Sequence, residues 1–311
     1  MRTTLVALVA SLAGCATTED GDAPIRYRST LTASTAGLVL HDDGETGHAG
    51  MFETNCPFET QGGDVTGDYD LPDHGEEVQD GGVSAMGPAT VVLVLGPKVH
   101  LLEKSTGQYL VDKLLWQDVE QVRLFDEGLV GEVDEGPQGC SIEWRVDHEP
   151  IASVSLDDTV CGGAMDAGWD GTTVVGGRER LAFVRPEGAT FVDTGADRLA
   201  WDDASGLAYA TADGDGEVSA WTPDGQQAWS TVVDGRIHSL GQAGDRGAAV
   251  LSWERTDGSG VVSWLSSTDG SVVAEIPTPS AADAVRVSAD GSVIALVRPD
   301  ETYFYEVRDL E

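Results

Sequence analysis

Apolar residues along this chain come in runs of four to eight, rich in Val and set apart by Gly, Asp, Ser and Pro. Such runs are short for helices, and their alternation predicts strands joined by tight turns. The stretch VSAWTPDGQQAWSTVVDG, Val218 to Gly235, is two of these strands around a Pro-Asp-Gly turn. A lone hairpin cannot bury its apolar face in water, so other parts of the chain must cover it. One segment permits a helical drawing, LLWQDVEQVRLF from Leu114 to Phe125. Its place in the rhythm of turns predicts strands there too.

That rhythm is regular. An acidic or polar turn ending in Gly leads into small and apolar residues at Gly47, Gly87, Gly128, Gly171, Gly206, Gly247 and Gly291, at gaps of 35 to 44 residues. A second series of turns, at Gly107, Glu149, Gly188, Gly225 and Gly270, keeps nearly the same beat about half a repeat later. A repeat of roughly forty residues is the size of a four-stranded propeller blade. The first series then joins strands one and two of each blade, and the second joins strands three and four. The predicted fold is an all-β propeller of seven four-stranded blades, spanning residues 25–311. The last unit lacks a strand: SVIALV and TYFYEV follow Gly291, and the chain stops at Glu311. The stretch IRYRSTLTAS, residues 25–34, has the alternation to fill the gap. Pairing the two ends would remove the open edges.

The segment VSAWTPDGQQAWSTV resembles the repeats of PQQ-like propellers, in which an apolar strand, a Thr/Asp-Gly-Lys/Gln turn and a Trp follow in order. Trp229 stands where that family stacks its docking Trp. Elsewhere the equivalent positions are Val111 and Ala274, and a WD-type or YVTN-type propeller would look much the same. The resemblance therefore implies a shape. It implies no PQQ, because quinoprotein dehydrogenases often carry an adjacent Cys pair and this chain has none.

The N-terminus reads MRTTLVALVASLAGCATTED. One Arg, a short apolar run and small residues are the order of a secretory signal, too short to span a bilayer. Leu12 to Cys15, LAGC, resembles the lipobox of bacterial lipoproteins. That resemblance implies a signal peptide at 1–14, lipidation of Cys15 and a tether at 15–24. The alternative is an ordinary signal peptide whose cleavage site happens to precede a Cys. In that family an Asp after the Cys retains the protein at the inner membrane, so Ala16 implies the outer one. The expected location is the cell envelope, periplasmic or surface-facing, with the lipid as the sole membrane attachment.

Charge narrows the partners. Eighteen Lys and Arg stand against 54 Asp and Glu, a formal charge of −36 at pH 7. This argues against nucleic acid, whose phosphates need basic residues, and against docking on anionic lipid. An acidic, solvated coat aids solubility and a monomeric state. With Cys15 lipidated, three cysteines remain. Cys140 and Cys161 are the expected disulfide in an oxidising compartment, leaving Cys56 free, buried or joined to a partner. Three small buried residues are the alternative.

Candidate chemistry is sparse. Asp42 to Asp80 holds twelve acids and neither Lys nor Arg. Asp64, Asp68, Asp70 and Asp73 have a loop-like spacing suited to calcium. Tyr69, however, stands where an EF-hand needs Gly, and a solvated loop is the plainer reading. Asp213, Asp215 and Glu217 form a second acidic turn that needs no ion. His41, His48 and His74 lack the paired spacing of a zinc site, and His100, His148 and His238 fall in separate units. The eight Trp, among them Trp201, Trp221, Trp253 and Trp264, read as packing between blades more than as a sugar platform. No catalytic residue and no resident cofactor are expected, calcium being the exception to test. The leading expectation is a non-catalytic binding or scaffold propeller for a protein or small ligand. It resembles in layout the propeller lipoprotein of outer-membrane barrel assembly. A calcium-dependent propeller hydrolase or lactonase is the alternative, and a surface protein without a small ligand the third.

Overall fold

The computed structural model describes strand backbone between residues 25 and 115, with few side chains, and residues 116–308 almost completely, save residue 117 and some turn positions. Among the described residues it is strand and turn, with one 3-10 turn at Gly136–Gln138. The first strand, β1, is Ile25–Leu31. The first blade holds β2 (Gly37–Leu40), β3 (Thr46–Met51), β4 (Thr54–Glu59) and β5 (Tyr69–Asp70). The second holds β6 (Gly82–Met86), β7 (Thr90–Leu95), β8 (Lys98–Glu103) and β9 (Tyr109–Leu115). In the third are β10 (Val119–Phe125), β11 (Gly128–Asp134), β12 (Cys140–Val146) and β13 (Glu149–Leu156). The fourth comprises β14 (Ala164–Ala167), β15 (Thr173–Gly176), β16 (Leu181–Arg185) and β17 (Gly188–Val192). In the fifth come β18 (Arg198–Asp202), β19 (Leu207–Thr211), β20 (Glu217–Trp221) and β21 (Gln227–Val232). The sixth is β22 (Gly235–Gln242), β23 (Ala248–Arg255), β24 (Gly260–Ser266) and β25 (Val272–Thr278). The seventh has β26 (Ala284–Val287), β27 (Val293–Val297) and β28 (Thr302–Val307), and its fourth strand is β1.

All seven sheets are antiparallel and four-stranded. Every turn glycine of the first series falls between strands one and two of a blade or within the first two residues of strand two, and every turn residue of the second series falls between strands three and four or opens strand four. Leu114–Phe125 divides between β9 and β10, with no helix. At the seam Ile25 pairs with Val307, Tyr27 with Tyr305 and Leu31 with Thr302. The rings of Tyr27 and Tyr305 meet edge-on, centroids 5.9 Å apart. Inner strands touch all the way round, β2 against β26 included. The ring is closed, and an edge that would invite aggregation is paired.

Burial follows position in the blade. Second strands lie between neighbouring blades and are apolar on both faces: β19, LAYAT, is buried at all five residues. Fourth strands face solvent on one side and alternate, as β25 does in VVAEIPT. The core is a succession of layers, each shared by adjacent blades. One joins Tyr209, Val218 and Trp229 of the fifth blade to Ile237, Leu251 and Val261 of the sixth. Among the described residues the buried clusters span adjacent blades, so these blades depend on their neighbours.

Two devices join blades. Trp229 packs against the third-to-fourth-strand turn of the sixth blade and donates from Nε1 to the Ser267 carbonyl at 2.7 Å. Gly270 there has φ +70°, and a Cβ on it would lie 2.4 Å from the Trp229 ring. Only glycine satisfies both demands. Between the third and fourth blades, Cys140 and Cys161 are joined as a disulfide, Cα atoms 5.6 Å apart. Many acids, meanwhile, serve the turns. Asp157, Asp257 and Asp269 each accept the N–H and hydroxyl of the Thr or Ser two residues on. Those hydroxyl bonds hold all three carboxyls below the usual range. Part of the acidity is thus turn chemistry.

Candidate functional site

Among the described residues, a concavity lies on the face that carries the first-to-second and third-to-fourth strand turns. A groove of about 650 Å³ runs across the third, fourth and fifth blades. Its apolar wall includes Phe125, Ile151, Trp169 and Trp201, and its acids are Asp126, Glu127, Asp170 and Asp203. Among the described residues, no Lys or Arg lines it. Trp144 forms part of the floor, buried, with Nε1 donating to the Gly171 carbonyl at 2.9 Å.

Trp169 sits at the middle and is 40% exposed. Its placement is not left to the turn alone. Its N–H donates to Asp203 Oδ1 of the fifth blade at 2.8 Å, and its carbonyl accepts the Asp126 N–H of the third at 2.9 Å. Gly168 permits the approach, since a Cβ there would lie 2.3 Å from Trp201 Nε1. Trp201 Nε1 also donates to Asp203 Oδ1, at 2.9 Å. Burial pushes the Asp203 carboxyl up, and the negative charges of Asp170 and Asp166 add to it against these two donors. A large aromatic surface is therefore held rigid in an anionic setting.

Trp169 and Asp203 also border a second cavity of about 320 Å³, lined by the inner strands of the third to seventh blades. This is the central channel. Four of its residues stand five positions ahead of a first-series turn glycine: Arg123, Asp166, Gln242 and Arg286. Asp166 is engaged on both oxygens, taking Arg123 Nε at 3.3 Å and the Trp201 N–H at 2.8 Å. Aligning the turns and counting back would have found this ring in the sequence. Trp169 carried a signal as well, an aromatic flanked by Gly and Asp in a turn that needs none.

Of the residues singled out from sequence, Trp201 lines the groove, and the others lie elsewhere. Cys15, the signal segment 1–14, the tether 15–24, Asp64, Asp68, Asp73, His41, His74, Asp213 and Asp215 fall outside the described residues. Asp70 is in β5 opposite Thr54, so the Asp64–Asp73 run is interrupted by a strand. Cys56 and His48 belong to β4 and β3, opposite Ala49 and Pro57. His100 is buried in β8, and His238 Nε2 lies 3.1 Å from Glu254 Oε2. Trp201, Trp253 and Trp264 are buried in the layers between blades. Glu132, Cys140 and Cys161 bring potential ligand atoms within 4.8 Å of one another. The two sulfurs are bonded together, however. Glu132 accepts the Gly162 N–H at 2.8 Å and Gln121 Nε2 at 3.0 Å. Burial pushes its carboxyl up. This cluster holds a loop.

No protein-family profile matches the chain, and no curated protein is significantly similar in sequence. Solved structures are similar in shape. The RRP9 WD40 repeats superpose with TM-score 0.69 at 13% identity, covering 92% of this chain and 99% of theirs. The Cps50 (Swd1) β-propeller domain of Myceliophteria thermophila gives 0.69 at 11%, covering 91% and 100%. A chain of the Mitotic Checkpoint Complex gives 0.67 at 14%, covering 99% and 100%. This chain is a β-propeller. With 1275 solved chains similar at this level, the likeness defines the propeller's architecture and leaves its activity to the site.

Proposed function

We propose that this propeller is an envelope-anchored lipoprotein, built from divergent PQQ-like or WD-like repeats, that acts as a non-catalytic binding scaffold. Its docking site is the groove around Trp169, and its occupant is a segment of a partner protein carrying basic and apolar side chains. The observation that carries this reading is Trp169 itself, exposed yet tied through its backbone to blades on either side. Binding to such a ring costs little ordering, and aromatic anchors dominate interface energy. Four acids and no base around it make the groove complementary to Lys or Arg, with cation–π contact available on the indole. The fold's relatives in shape include chains solved within complexes, which agrees with a partner-binding role.

The test uses a library of short peptides that vary basic and aromatic content, read by fluorescence anisotropy against the purified chain. Basic–aromatic peptides should bind, and Trp169→Ala should weaken them at least tenfold. Binding unchanged by Trp169→Ala, or a preference for acidic peptides, would sink the groove assignment. The anchor is tested separately: Cys15→Ser should release the protein from membranes and abolish incorporation of labelled fatty acid.

A further inference from the structure

In a chain with three acids for every base, two arginines line the central channel. Arg123 and Arg286 occupy equivalent places on β10 and β26, each after a Val and each donating Nη1 to that Val carbonyl at 2.9 Å. Their situations then part. Arg123 has Asp166 and the Met165 carbonyl, the latter at 2.8 Å from Nη2. Among the described residues Arg286 donates to the Val285 carbonyl and to no carboxylate. Its side chain is exposed and lines the cavity that Arg123, Asp166 and Gln242 also line. Desolvation, and next the like charge of Arg123, push it down from its ordinary value.

We propose that the channel is an oxyanion site, with Arg286 as the bidentate donor and Arg123 as the second cation, taking a carboxylate or phosphate group. A guanidinium fork matches the two oxygens of such a group. Asp166 does not fill the role, because both its oxygens are engaged with Arg123 and Trp201. The acidic coat works through screened solvent, whereas the two arginines share a half-open cavity between inner strands, where charges are less screened. An incoming anion relieves the repulsion between them. The channel shares Trp169 and Asp203 with the groove, while both arginines line the channel alone.

Calorimetric titration of the full-length chain at pH 7 and constant ionic strength tests this, with inorganic phosphate in one arm and succinate in the other. Saturable binding is expected in at least one arm: phosphate alone marks a phosphoryl ligand, and succinate alone a carboxylate such as a chain terminus. Arg286→Gln should weaken it at least tenfold. Arg286→Lys, which keeps the charge and loses the fork, should fall in between. Arg123→Gln should also weaken binding, and Arg308→Gln on the outer surface should leave it unchanged. Should Arg286→Gln fail to fold, the Lys and Arg123 variants carry the comparison. No saturable heat with either anion, or equal affinity in the folded Arg286 variants, overturns the proposal.

Discussion

Two tryptophans at blade junctions show how one packing device is put to different ends. Trp229 covers the turn of the sixth blade with its ring, and both ring and Nε1 are engaged. Trp169 is tied to its neighbours through its backbone, and its ring faces the groove. The first arrangement fills the space between blades and leaves nothing for a ligand. The second fixes an apolar surface in place and leaves it uncovered. On the proposed reading, stability and binding are carried by different atoms of the same residue type, and mutation should separate them.

The largest effect should come from the covered residue. Trp229→Ala removes a buried indole from a packed layer, and a loss of about 3–5 kcal/mol in unfolding free energy is expected in a urea titration. Next is the disulfide. Replacing Cys140 and Cys161 by Ser opens a loop of 21 residues, worth about 3 kcal/mol in the chain-entropy account. Comparing denaturation with and without a dithiol reductant checks it. A smaller effect depends on pH. The folded Glu132 carboxyl lies above its ordinary value of 4.5, so the folded state holds that proton more readily than the unfolded chain. Its contribution to stability is full below 4.5 and is lost as pH rises through the folded value. Glu132→Gln should flatten the stability profile over that window, and an unchanged slope would refute the assignment. Smallest of all should be Trp169→Ala, within about 1 kcal/mol of the parent. If its cost matches that of Trp229→Ala, the ring at 169 is structural and the contrast fails.

Much of the fold was legible because turns announce themselves locally. An Asp-Gly or Pro-Asp-Gly needs no distant partner to make a hairpin, so Gly171, Gly225 and Gly291 marked strand boundaries before any packing was known. The seam was legible from a deficit, one strand short at Glu311 and one spare at Ile25. The site was harder. Arg123 and Arg286 are 163 positions apart, in apolar strands where a lone Arg reads as an exposed face. Trp169 looked like one more packing aromatic, and the groove acids like more of the coat. The acidic run from Asp42 to Asp80 drew notice by density alone, whereas the proposed groove and channel sites are lined by only five acids, of which Asp126 and Glu127 alone are adjacent, and two arginines.

Repeat length, turn chemistry and apolar alternation settled that there would be small antiparallel sheets of one size, because these are properties of neighbouring residues and act through the local backbone. Which residues share the channel, which indole is covered and which is open were decided only when the blades stood in a ring. Closing the ring brings side chains from distant blades within reach of one another, and contacts of that kind leave no mark on the residues beside them in sequence.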